Sequence, residues 1–261
     1  MRVIVHGGAG AGSGTDFTDR QATLDAVASA GTAAPTPLDA VEAAVRPLER
    51  DERFNAGRGG AIQSDGVARV DAGCMTADRT VGAVAAVPGV EHPVSAARIV
   101  AAETPHVCVA GPEAAALADD FGVAAGVDLT TERTRERFAD ADPPAGDASP
   151  RAHLDWLRDR FGGHDTVGAV AGKGDRFAAA TSTGGRWFAL AGRVGDVPQV
   201  GSGFFATPAG GASATGAGED IARTTLSRRA VDHLADGATA ERAATLAVEA
   251  FADLTDSTAG V

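Results

Sequence analysis

Two cysteines, one lysine and no long apolar run set the first limits on this 261-residue chain. Cys74 and Cys108 lie in apolar, strand-like contexts without metal-ligand spacing, so both are expected as buried thiols. No stretch approaches the roughly 20 apolar residues that span a bilayer. The opening MRVIVHGGAG has too short an apolar core for a secretory leader. A cytoplasmic location with no membrane partner is expected. The histidines at 6, 92, 106, 153, 164 and 233 are scattered and form no zinc motif, so no metal is assigned to them. The glycine-rich run after His6 fails as a phosphate loop. Gly8 and Gly10 are followed by Ser13 where a third glycine is needed, Gly10 and Gly12 by Thr15, and there is no Gly-Lys-Ser/Thr anywhere. Such a loop instead suits close backbone approach, with positive φ at several positions.

The charge balance excludes more. The net charge is −12, with 35 acidic against 23 basic residues, and Lys173 is the one lysine among the latter. A phosphate backbone would be repelled, so nucleic acid is not expected as a partner. An acidic, alanine-rich, lysine-poor surface fits a halophilic protein, since charges are screened over only about 3 Å at 1 M salt. At 44% hydrophobic content the chain can bury a substantial core, as one large domain or two small ones.

Arg2 to His6 reads as a strand, and 18–30 as a helix stopped by Gly31. Thr36-Pro37 supplies an N-cap and a first-turn proline for a second helix, with Leu38, Val41, Ala44 and Val45 on one face. Pro47 is expected to end or kink it. A strand pair around 61–75 turns at Ser64-Asp65-Gly66. A strand at 81–87, a helix from Pro93 through Ala102, a strand at 106–110 and a short helix from Pro112 to Gly122 follow. Residues 130–163, charged and carrying Pro143, Pro144 and Pro150, have the composition of an exposed linker. Strands are expected at 167–171, 177–182, 187–194 and 203–206. Helices at 219–234, with Glu219 and Asp220 favouring its dipole, and after the cap Thr239 close the chain. Strands and helices cluster rather than alternate, so mixed layers with antiparallel sheets are favoured over a parallel sheet.

Thr166 stands where the charged segment meets an apolar strand. Taken alone, a threonine at such a seam is a cap or turn residue. Its neighbours change that: HGGAG after the first strand, FNAGRGG at 54–60, HDTVGAVA at 164–171, AAATSTGG at 178–185, GRVGD at 192–196 and SATGAGE at 213–219. In that order, over nearly the whole chain, these pieces resemble the N-terminal-nucleophile hydrolases of the plant-type asparaginase and isoaspartyl peptidase family. The resemblance implies a single α+β domain, a four-layer αββα sandwich with two mainly antiparallel sheets between helices. It also implies self-cleavage by attack of the Thr166 hydroxyl on the Asp165 carbonyl, giving an α chain 1–165 and a β chain 166–261. A freed α-amine, with pKa about 7.7–8.0, could then serve as the base for its own hydroxyl.

Further roles follow from the resemblance, position by position. Thr183 would hold the Thr166 hydroxyl or amine, and Thr181 would be structural. Thr215 and Gly216 match the oxyanion hole. Gly218 would offer its carbonyl to the substrate amine, and Asn55 matches a residue tied to processing and site geometry. In GRVGD an arginine fork suits an α-carboxylate and an aspartate an α-ammonium, which makes Arg193 and Asp196 the clamp for a free amino-acid end. In isolation such a pair is usually a surface salt bridge, just as Asn55 alone is an Asx turn. No cofactor is expected for the chemistry, although the family carries a structural sodium on backbone carbonyls, here within 44–54. The implied assembly is a dimer of αβ heterodimers, and the implied reaction is hydrolysis of the β-aspartyl amide of L-asparagine or of isoaspartyl dipeptides.

The chain departs from the family in places. His164-Asp165-Thr166 looks more like the glycosylasparaginase branch, whose substrate is glycosylated asparagine, and His164 reads as a packing or processing residue. The run Arg186 to Leu190 lacks the usual polar, lysine-bearing stretch, Trp187 and Phe188 read as core, and Val197 replaces a serine. A non-catalytic amino-acid-binding protein built on the Arg193/Asp196 clamp is the rival from another class.

Overall fold

The computed structural model describes residues 1–9, 17–158, 160 and 162–261. The expectations placed on Gly10, Gly12, Ser13 and Thr15, and on the His164 side chain, lie outside the described residues. In chain order the elements begin β1 (Arg2–His6), α1 (Thr18–Gly31), α2 (Pro37–Arg50), β2 (Arg69–Thr76), β3 (Val81–Pro88), α3 (Pro93–Glu103), β4 (Cys108–Ala110) and α4 (Gly111–Asp120). Next come α5 (Glu132–Ala139), α6 (Pro150–Leu157), β5 (Gly162–His164), β6 (Val167–Lys173), β7 (Arg176–Thr183) and β8 (Arg186–Trp187). The chain ends through β9 (Phe204–Thr207), β10 (Gly210–Ser213), β11 (Thr215–Gly216), α7 (Gly218–Thr224), α8 (Leu226–Ala235), α9 (Ala240–Leu254) and β12 (Ala259–Gly260).

This is an α+β fold around one six-stranded sheet, ordered β1-β6-β7-β2-β3-β4. Its pairings are antiparallel except for the parallel edge β3/β4. Alternation along β7 shows how the layers form. Ala178 and Ala180 face the core under α2, while Ala179 faces the other way, against Phe204 and Ala206 of β9. Small side chains let a helix lie close on one face and a β-hairpin on the other. Gly73 in β2 takes this furthest, since a Cβ there would meet the Phe204 ring at 1.9 Å. Helices α2 and α3 cover the first face, the β9/β10 hairpin part of the second, and α8 packs behind that hairpin with α9 against it.

Helix α2 forms where the Thr36-Pro37 signal places it. Thr36 and Asp39 make a reciprocal capping box, worth about 1 kcal/mol for the cap residue, and Ala40, Val41, Ala44, Val45 and Leu48 are buried. Pro47 does not end it, and the helix runs on to Arg50.

Other expectations need correcting. The first half of the 61–75 pair is reduced to one bridge, Ile62↔Ala68, because the backbone around Ile62 and Ser64 bonds to Phe188 and Ala189 instead. Residues 130–163 are no structureless linker, since Thr131 and Ser149 cap α5 and α6. Those helices bring Phe138 and Trp156 onto Phe188, with ring centroids 6.4 and 5.4 Å away. The strand expected at 187–194 stops at Trp187, and Phe188 takes a positive φ of 63°. The helix expected at 219–234 is broken at Thr225, also left-handed at φ 51°. Cys74 is buried, but Cys108 is exposed on the three-residue edge strand β4. Trp187 and Phe188 are buried as expected. Among the described residues no helix is long and apolar enough to cross a membrane.

Candidate active site

The antiparallel register of β6 and β7 builds the first half of the site. Val167 pairs with Ser182, so the next rung sets Thr166 beside Thr183 at the end of the sheet. Both are buried, with their hydroxyl oxygens 3.5 Å apart, a contact too long to be a full hydrogen bond. The Thr183 hydroxyl is engaged elsewhere: it donates to the Asp165 carbonyl oxygen at 2.9 Å and accepts from Gly185 N–H at 3.0 Å.

A second donor reaches the same carbonyl. Asn55 Nδ2 donates to Asp165 O at 2.8 Å and to Gly185 O at 2.7 Å, while its Oδ1 accepts from Ala61 N–H at 2.8 Å. Both amide hydrogens and the oxygen are used, which fixes the amide's orientation. The peptide carbonyl before Thr166 is thus held by two donors, with the hydroxyl of the next residue close by. Donors so placed stabilise the negative charge that develops on a carbonyl oxygen under attack.

The other half gathers around Gly218. A Cβ on Gly218 would lie 2.6 Å from Asp196 Oδ1 and 2.9 Å from Arg193 Nη2, so the absence of a side chain lets both groups come against this backbone. Arg193 and Asp196 do not pair with each other. Arg193 Nε donates to Glu219 Oε1 at 2.7 Å, and Glu219 Oε2 accepts from Arg186 Nη1 at 3.1 Å. Arg193 Nη2, Asp196 Oδ2 and Thr215 Oγ1 are buried and lack hydrogen-bond partners among the described residues. Buried polar atoms are usually bonded, so these three expected site residues each offer a polar atom that a ligand could bond. A Cβ on Gly185 would lie 3.4 Å from Arg193 Nη1, which ties this half to the Thr183 half.

Thr215 and Gly216 form β11, paired with β12. They make no hydrogen bond to Thr166 or Thr183. What connects them is the preceding Ser213, whose Oγ lies 2.7 Å from Thr181 Oγ1 and 2.7 Å from His6 Nε2. Thr181 also donates to Gly203 O at 2.8 Å, a structural role.

Electrostatics separate the carboxyls. Burial pushes Asp196 up to about 7, against its own backbone N–H and the Arg193 charge and with help from Asp71 and Glu219. Burial likewise takes Asp71 up to about 6, opposed by the Ala86 N–H bond and Arg193. Glu219, which burial alone would raise, is held at about 2 by its Arg193 hydrogen bond and charge and by Arg186. His6 is pushed down to about 4 by burial, partly offset by bonding to the Thr166 backbone, so its imidazole is neutral at pH 7.

Sequence reasoning missed Glu219 as a site residue. It stands in SATGAGE, and its position in a helix first turn hid its pairing with the two arginines. Asp71, opposite Thr183 in the β2/β7 ladder, gave no signal that reading along the chain could use.

The family described as Asparaginase (Asparaginase_2) matches residues 1–261. A plant-type L-asparaginase of Pyrococcus abyssi is 36% identical, over 95% of this chain and 84% of that protein. An isoaspartyl peptidase/L-asparaginase of Rattus norvegicus is 37% identical, over 95% of this chain and 75% of its own length. A plant-type L-asparaginase of Pyrobaculum calidifontis is 42% identical, over 89% and 79%. Matched from end to end by that family and along most of its length by these relatives, the chain belongs to the asparaginase family and is an amidohydrolase.

Proposed function

We propose that the chain cuts itself between Asp165 and Thr166 and then hydrolyses the β-aspartyl amide of L-asparagine and of N-terminal isoaspartyl dipeptides. The observation that carries this reading is the Asp165 carbonyl, held by Asn55 and Thr183 beside the Thr166 hydroxyl. Attack by that oxygen forms an ester at Thr166 and breaks the peptide bond, and the released nitrogen takes up the hydroxyl proton. Water then cleaves the ester, leaving a carboxylate on Asp165 and a free α-amine on Thr166.

In the cut enzyme that amine is the base. It takes the hydroxyl proton as the hydroxyl attacks the substrate amide carbon and delivers the proton to the leaving nitrogen; water then cleaves the β-aspartyl ester on Thr166, giving the carboxylate and restoring the hydroxyl. Thr183 orients the nucleophile, and the Thr215 hydroxyl with the Gly216 N–H stabilises the oxyanion. Arg193 takes the α-carboxylate, while Asp196 and the Gly218 carbonyl take the α-ammonium. Assays with L-asparagine, a β-aspartyl dipeptide and glycosylated asparagine test this assignment. Turnover of the first two supports it, and turnover of glycosylated asparagine far above both would replace it with the glycosylasparaginase reading.

A pH profile follows from the carboxyl that binds the ammonium. Below about 7 Asp196 is mostly protonated and neutral in the empty site, and below about 8 the amine is protonated too. Both effects lower activity in acid, so kcat/KM should rise steeply between pH 6 and 8. Bound substrate holds Asp196 ionised, so kcat should keep only the amine limb. A kcat/KM flat across that range contradicts this role for Asp196.

The layer order α2/α3, sheet, β9/β10 hairpin, α8/α9 is compatible with a four-layer αββα sandwich in one domain whose second sheet is short. Two self-cleaved copies would pair as a dimer of αβ heterodimers. The end of α2 and the turn after it would hold a sodium ion through backbone carbonyls within 44–54. Glu49 O accepts from Arg58 N–H at 2.8 Å and Asp51 O from Phe54 N–H at 2.9 Å, which leaves each a second lone pair. Replacing sodium by tetramethylammonium at equal ionic strength is then expected to lower Tm by a few degrees. An unchanged Tm counts against the ion.

A further inference from the structure

Four arginines from three segments meet on this acidic chain. Arg20, Arg53, Arg133 and Arg137 line a single cavity of about 200 Å³ whose wall also includes Asn55 and Asp165. Arg53 is committed to Asp51. The other three rest on neutral groups, with Arg20 also near enough to Asp51 for its charge to lower that carboxyl's pKa. Arg133 donates to the Glu52 carbonyl at 2.6 Å, Arg137 lies over the Trp187 ring at 4.1 Å, and Arg20 lies over Phe54 at 6.0 Å. Among the described residues none of these three makes an ion pair, and the Arg133 charge adds to burial in disfavouring the charged form of Arg137. Four guanidinium groups set around a cavity whose described lining brings one carboxylate, that of Asp165, make a receptor for a further anion.

Asp165 on the wall indicates which anion. Before scission its carbonyl is neutral and tied to Asn55 and Thr183. Attack by the Thr166 oxygen, rupture of the C–N bond and hydrolysis of the resulting ester by one water turn that carbonyl into a carboxylate, and the acid's proton passes to the new α-amine, making it an ammonium. The residue then carries two negative charges and is no longer bonded to β6. Left in place, it would pair with the new Thr166 ammonium, block the nucleophile, and keep Asn55 and Thr183 occupied.

We propose that the arginine cavity beside Asp165 is the receptor for the new C-terminal carboxylate of the α chain, drawing it away from Thr166 after scission. Capture there clears the site for substrate and opposes religation. The inference rests on the self-cleavage reading.

The test compares the processed protein with Arg133→Gln/Arg137→Gln, following the α-chain mass during digestion by a broad-specificity carboxypeptidase. The processed wild-type terminus is expected to be trimmed at least tenfold more slowly than the variant's at low salt, and to lose that protection as sodium chloride is raised. Should the double variant fail to fold, the salt dependence of the wild type and the single change Arg137→Gln carry the same test. Equal trimming of wild type and variant at all salt concentrations overturns the inference but leaves self-cleavage standing. So does unchanged trimming with a tenfold rise in KM for β-aspartyl dipeptides, which would make the cavity a subsite for the substrate's leaving group. A chain that never splits between Asp165 and Thr166 ends both readings.

Discussion

Thr166→Ala is expected to remain a single uncut chain and to lose turnover by a factor on the order of 10⁶, the scale seen when a nucleophile is deleted from a concerted set. One atom serves both steps, so one change removes both. Without the hydroxyl there is no attack on Asp165, and without the cut there is no α-amine to act as base. The fold should survive. Among the described residues the buried Thr166 hydroxyl makes only the 3.5 Å contact to Thr183, and its loss should cost about 1 kcal/mol or less. Denaturing electrophoresis and ammonia release from L-asparagine read the two effects together. Thr166→Ser, which restores the oxygen, should restore cutting. A Thr166→Ala chain that still splits would remove this residue from the mechanism.

Asn55 gives the second large effect. Its amide is one of two donors on the carbonyl under attack, and loss of one such donor typically slows reaction by about 10²–10³-fold. Asn55→Ala should slow scission by that order and also loosen the loop, because Ala61 N–H and Gly185 O lose a partner. Thr183→Val keeps the shape of the side chain and removes the donor at 2.9 Å, together with the acceptor that Gly185 N–H uses at 3.0 Å. It should slow scission similarly. The double change should cost less than the product of the two, because both donors serve one oxygen. Mass spectrometry of each variant over days after purification measures the rates. Scission of Asn55→Ala at the wild-type rate would mean that the bond to Asp165 O only holds the loop.

The parts of the molecule that could be read along the chain are those in which local chemistry decides structure. Thr36-Pro37 and the apolar face that follows defined α2, and the apolar runs on either side of Gly174 gave the β6/β7 hairpin and hence the Thr166–Thr183 rung. Where tertiary contacts decide, reading failed. Thr225 adopts a left-handed conformation without being glycine, so nothing marked the break between α7 and α8. Residues 130–163 looked structureless because their large apolar groups are few, and Phe138 and Trp156 pack on each other and on Phe188, many residues away. Thr183, Asn55, Arg193 and Asp196 could be singled out because they sit in short glycine-marked motifs. The cavity arginines could not, since Arg20, Arg53 and the α5 pair Arg133 and Arg137 come from three separate segments and meet only in the fold.

The whole scheme turns on one broken peptide bond. Intact-mass measurement of the purified protein under denaturing conditions should find two polypeptides, one ending at Asp165 and one beginning with Thr166, in equal amounts. A lone species at 26.0 kDa that persists on prolonged incubation, yet turns over L-asparagine, would contradict it.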